Sequence, residues 1–135
     1  MTTLSSPQSN RVTPLSGAPS WLQSALKTVT RLAQLPANWD GHGSPALRPM
    51  AVARACQLLS FLEWDNLHVP QIGPVPGGGI QIEWHVAERE LEIEILPDGS
   101  VEFLTVEGEA MEEGPLTVDR PDLSRALIRW VMRDL

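Results

Sequence analysis

In three segments between residues 80 and 105, mostly apolar side chains recur at every second position. Ile80, Ile82, Trp84 and Val86 interleave with Gln81, Glu83 and His85. Leu91, Ile93 and Ile95 interleave with Glu90, Glu92 and Glu94, and Val101, Phe103 and Thr105 with Glu102 and Leu104. Successive side chains on a strand point to opposite faces, so this period fits β-structure with one buried face and one wet face. Pro97-Asp98-Gly99 is a hairpin signal between the second and third segments. The three segments therefore form an antiparallel meander that must cover its apolar face with something else.

Helices supply the cover. Leu22, Ala25, Leu26, Val29, Leu32 and Ala33 share one helical face, Ser20 can cap the N-terminus, and Pro36 ends the run. Pro49 suits the first turn of a second helix, expected to reach Trp64, with Val52, Ala55, Cys56, Leu59 and Leu62 on one face. Near the C-terminus, Leu123, Ala126, Leu127, Trp130 and Val131 follow helical spacing, with Asp119 or Asp122 as the cap. Residues 66–79 read as an extended connection that can include a short edge strand, and residues 107–118 as an acidic loop. The expected fold class is α+β in the order α-α-β-β-β-α, with a meander of three strands, or four with the edge strand, packed on helices. Residues 1–18, rich in Ser, Thr and Pro, read as a flexible leader, and residues 19–135 as a single domain, a length that suits one core.

Charge narrows the function classes. The net charge is −7, against non-specific binding to nucleic acid or to anionic membranes. Residues 80–113 carry 11 acids and one base, Arg89, so the acidity is concentrated in the strand region while the rest of the chain is slightly basic. No apolar run is long enough to span a bilayer and no signal-peptide pattern opens the sequence, which points to the cytoplasm. A single cysteine, Cys56, excludes an internal disulfide and a zinc site built on several thiolates.

Two groups of residues could carry chemistry. Asn38, Trp39, Asp40 and His42 lie in a corner punctuated by Pro36, Gly41, Gly43 and Pro45. Turn chemistry explains all of them except His42, with Trp39 pinning the corner to the core. Alternatively, Asp40 and His42 share a pocket and do acid–base work or hold a metal. On the meander, Glu83 and His85 share the polar face, where Glu92, Glu94 and Glu102 can join them. That face is a solvated surface, a metal-dependent binder built on Glu83 and His85, or a binding face for a basic partner. Arg125, Arg129 and Arg133 form a basic stripe on the last helix, an internal candidate for pairing with the acids. Gly77–Gly79 precede a strand rather than a helix, so they are not a phosphate loop. No nucleophile elbow, Walker sequence, paired-histidine motif or cofactor fingerprint is present, and no cofactor is expected.

The run Asn38-Trp39-Asp40-Gly41-His42-Gly43, followed by a helix, and then Gly78-Gly79-Ile80-Gln81-Ile82-Glu83-Trp84 with a Leu-Glu-Ile-Glu-Ile strand, resembles a group of small uncharacterised bacterial proteins. These share an Asn-Trp-Asp-Gly corner and a Gly-Ile-x-x-Glu-Trp strand, and the resemblance spans about residues 30–105. It implies a bacterial or phage origin, in a mobile-element or defence setting, and brings no catalytic residue with it.

The function expected from these features is a non-catalytic protein-interaction module. Its acidic sheet face would bind a basic protein, as a neutralising partner of the antitoxin or immunity kind or as an assembly subunit. The alternatives are a small enzyme or metal-dependent binder using Asp40 and His42 or Glu83 and His85, and a structural homodimer closed on tryptophan surface.

Overall fold

The structure is a computed structural model and describes residues 17–133. The leader expected over residues 1–18 lies, apart from its last two residues, outside the described part. Two helices, α1 (Ser20–Leu32) and α2 (Pro49–Ser60), precede five strands: β1 (Gln71–Val75), β2 (Gly79–Val86), β3 (Arg89–Ile95), β4 (Val101–Glu107) and β5 (Ala110–Leu116). A last helix, α3 (Asp122–Val131), follows. The strands form one antiparallel sheet in sequence order, β1-β2-β3-β4-β5. The α+β class expected from the pattern is therefore found, with five strands instead of three or four.

The register converts the alternation into two faces. Ile80 pairs with Ile95 and Ile82 with Ile93, Trp84 opposes Leu91, and Ile93 opposes Phe103. These side chains form the core with Trp21, Ala25 and Val29 of α1, Ala51, Ala55, Leu58 and Leu59 of α2, and Leu127, Ile128 and Val131 of α3. α1 packs on α2 and β1, α2 on β2 and β3, and α3 on β3 and β2. All three helices thus contribute to the core on one face of the sheet. Trp84 is 1% exposed and donates its indole N–H to the His68 carbonyl at 3.0 Å. Trp21 donates to the Trp64 carbonyl at 2.6 Å, fixing the first turn of α1 against the loop after α2. Each bond satisfies the polar end of a buried tryptophan. None of the helices among the described residues is long and apolar enough to cross a membrane.

Several expectations are corrected. Ser20 is inside α1 and caps nothing: Pro19 occupies the cap position, and its carbonyl accepts from Leu22 and Gln23. α2 stops at Ser60 rather than Trp64, because the chain turns through a left-handed Glu63 (φ 55°). Neither Asp119 nor Asp122 caps α3: the cap is Pro121, and Asp122 lies in the first turn, where its charge suits the helix dipole. The buried stripe of α3 is Ser124, Leu127, Ile128 and Val131, one residue on from the expected one, and it leaves Leu123 44% exposed. Ile128 is the better core residue, and placing it inward turns Leu123 out.

The acidic loop expected at 107–118 is mostly strand. Gly108, at φ 63°, opens a two-residue turn between Glu107 and Ala110, and β5 returns along β4. Glu112, Glu113, Gly114 and Pro115 are poor strand formers, and Leu116 is the sole buried residue of β5. Pairing with β4 therefore carries this strand, rather than its own composition.

Candidate functional site

The corner and the sheet face are built on different elements. The corner, between α1 and α2, closes on itself. Asn38 has φ 66°, donates its N–H to the Ser44 carbonyl at 2.6 Å, and accepts from the Gly43 N–H at 2.7 Å through Oδ1. Asp40 Oδ1 accepts from the N–H groups of His42 (2.9 Å) and Ser44 (3.2 Å), and Oδ2 from the Ser44 hydroxyl (2.5 Å). The Ser44 hydroxyl first, and then these N–H groups, pull the Asp40 carboxyl down to about 2. A carboxylate held in that way is a poor general base at neutral pH. The His42 ring does not meet it: Nδ1 lies 2.9 Å from the Asp40 main-chain carbonyl, and the side chain is exposed. Trp39 donates to the Pro45 carbonyl at 2.9 Å and so closes the corner locally, without joining the core cluster as expected. These bonds hold the corner as a closed turn.

The other face of the sheet gathers the acids. Glu83 lies directly opposite Glu92, and Glu94 directly opposite Glu102. His85 opposes Glu90, and Glu113 stands opposite Leu104 in the row that holds Glu83 and Glu92. All five sheet residues singled out in the sequence (Glu83, His85, Glu92, Glu94 and Glu102) thus share one face, with Glu90 and Glu113 beside them. By register and alternation, none of the outward positions on the five strands is Lys or Arg. Glu92, Glu94, Glu102 and Glu113 line a shallow open groove of about 430 Å³ with Leu104 and Pro115. Leu104, Val106 and Met111 give the face an apolar strip, and Met111 is 66% exposed.

Two of these carboxyls, Glu83 and Glu92, are raised. A hydrogen bond with Glu90, then burial, then the charges of Glu90 and Glu92 raise the Glu83 carboxyl above its ordinary value, with His85 opposing. Burial, then Glu90 and Glu94, raise Glu92. Neighbouring like charges, across the ladder for Glu83 and along the strand for Glu92, favour the protonated form.

The basic stripe does not neutralise this face. Arg125 bonds the Phe61 carbonyl (2.9 Å) and pairs with Glu63 (2.8 Å), while Arg133 reaches Glu107 (3.7 Å), which also pairs with Arg89 (3.2 Å). Both Glu107 and Arg89 belong to the helix-facing phase of their strands. Among the described residues, no three His, Cys, Asp or Glu side chains come together as a metal site. The ladder's carboxylates are instead spread as acceptors at strand spacing, suited to Lys or Arg donors with the apolar strip receiving their aliphatic stems.

Sequence reasoning misses Glu113, Met111 and Pro115, since their composition places them in a loop. The signal is the Glu107-Gly108-Glu109-Ala110 turn, after which every second residue returns to the acidic face. Comparison with known protein families, with curated proteins and with solved structures finds no match to this chain.

Proposed function

We propose that the chain is a non-catalytic interaction module that binds a basic protein on the open face of its sheet. Within that reading it acts as a neutralising partner of the antitoxin or immunity kind, or as an assembly subunit. The observation that carries it is the unmixed ladder: Glu83, Glu90, Glu92, Glu94, Glu102 and Glu113 on one face, with no Lys or Arg at the outward strand positions. Directly opposed like charges destabilise a sheet, and solubility alone is served as well by mixed charges. The enzymatic alternative finds less support at the corner, because the Asp40 carboxylate is held by Ser44 and main-chain N–H groups and the His42 ring meets the Asp40 main-chain carbonyl instead.

The test is affinity capture from the source lysate at low and high salt. The bait is the wild-type chain beside the triple variant Glu92→Lys, Glu94→Lys, Glu102→Lys. A stoichiometric basic protein retained by the wild type, released at high salt and lost in the triple variant supports the reading. Equal capture by both baits refutes it.

A further inference from the structure

We infer that β5 is an edge for strand addition, taking an extended segment of the partner in which Lys or Arg alternates with apolar residues. The inference rests on the acidic-face reading above and names how the partner docks.

The phase of β5 decides which main-chain groups are free to pair. Pro115 has no N–H, so its pairing with Glu102 is of the non-hydrogen-bonded kind. The alternating pairs that do exchange bonds with β4 are then those of Ala110, Glu112 and Gly114. The two-residue turn closed by Glu107 and Ala110 agrees, as does the Thr105 hydroxyl lying 3.4 Å from the Glu112 carbonyl. The N–H and C=O groups of Met111 and Glu113 consequently point away from the sheet. The opposite edge is better defended: Pro74 has no N–H, so its pairing with Ile80 leaves the main-chain groups of Pro74 and Ile72 as those pointing away from β2, with one N–H between them, and α1 packs on that strand.

Beside the open edge, a groove of about 500 Å³ runs between β5 and α3, lined by Thr105, Ala126, Leu127 and Trp130 with the exposed Glu107 and Glu112. A strand added to β5 sends alternate side chains to the two faces. Its residues opposite Met111 and Glu113 extend the acidic rows, where Lys or Arg is favoured. The residues between them face the helix side and adjoin the groove, where apolar side chains are favoured. A second copy of the chain fits poorly, because two-fold pairing of β5 with itself brings the acidic Glu112-Glu113 run of one copy alongside that of the other.

The experiment uses the full ¹⁵N-labelled chain at low ionic strength and two synthetic probes. One is a short peptide alternating lysine and valine; the other is the same peptide N-methylated at its lysine main-chain amides, which keeps charge and order but removes the donors that would meet β5. The expected result is that the first binds about tenfold more tightly or better, and that only it slows amide exchange at Met111 and Glu113. Equal binding without protection at those amides overturns strand addition and leaves the acidic face standing. Binding of neither peptide overturns the acidic-face reading, and this inference with it. Slow exchange at Met111 and Glu113 in the free chain means that the edge is already occupied, by a second copy or by another part of the chain, and overturns the inference on its own.

Discussion

Replacing Glu92 by Gln should stabilise the protein at neutral pH. Glu92 stands directly opposite Glu83, diagonal to Glu102, and two residues from both Glu90 and Glu94 on its own strand. A directly opposed like-charged pair costs about 0.2–1 kcal/mol. Strand geometry puts the other three carboxylates about 7 Å away. In water at physiological salt, each repulsion at that distance is about 0.2–0.3 kcal/mol. The total is about 1–2 kcal/mol, which for a folded region of this length raises Tm by roughly 5 °C. The pH dependence has a definite sign. Burial, then Glu90 and Glu94, hold the Glu92 carboxyl above its ordinary 4.5 in the folded state. Between the ordinary and the raised value the folded state binds more protons than the unfolded one, so stability falls as pH rises through that window. The gain from Gln is therefore complete above the raised value and fades as pH falls to 4.5 and below. Urea unfolding at neutral and at mildly acid pH, followed by emission of the buried Trp21 and Trp84, measures both. No gain at neutral pH in low salt, or an equal gain at both pH values, would refute the repulsion argument.

Other substitutions test the fold and the corner. Trp84→Phe loses the indole bond to His68 and part of a filled core site, and should cost about 2–4 kcal/mol in urea unfolding. Gly79→Ala puts a Cβ 2.5 Å from the Ile95 carbonyl oxygen, a main-chain atom of the neighbouring strand, and should cost about 2 kcal/mol or more. Gly73→Ala meets nothing within 4 Å and should stay within about 0.5 kcal/mol of the wild type in the same assay. Ser44→Ala removes the main group depressing Asp40, so its carboxyl should move from about 2 towards 3.8 in an NMR titration. Because Asp40 is depressed in the fold, its contribution to stability is present above 3.8 and is lost as pH falls towards 2; the Ser44→Ala variant should show less of that acid loss.

The sheet's centre is legible in the sequence because period-2 alternation in β2, β3 and β4 is dictated by which face meets the core, and each strand carries its own buried residues. The same alternation puts Glu83, His85, Glu92, Glu94 and Glu102 on one face. β5 is not legible, because an edge strand with Leu116 as its one buried residue has no hydrophobic period to read. Its place comes from Gly108 and from pairing with β4, which are non-local facts. The α3 stripe differs by one residue from its expected position for a related reason: Leu123 and Ile128 both fit helical spacing, and the shape of the core under Ile128 decides between them. At the corner, turn-forming residue types correctly announce a turn, but the direction of the His42 ring depends on bonds that spacing does not encode.

The ladder and the one-sided packing come from the same pattern but answer different demands. With the three helices on one face, every second residue of β2 and β3 faces away from the core, and solvation requires only that it be polar. Alternating Lys and Glu would meet that requirement and add favourable cross-strand pairs. The chain has ten Lys and Arg in all, yet Arg89, the one Lys or Arg on a strand among the described residues, falls on the helix-facing phase and pairs with Glu107. Solvation therefore explains why these positions are polar and leaves their single sign unexplained. If the face binds a basic protein, the missing counter-charges arrive on the partner. Each carboxylate that its neighbours push towards protonation gains on meeting a guanidinium or ammonium group, so the rows least favourable to the free protein are those that contribute most to the complex.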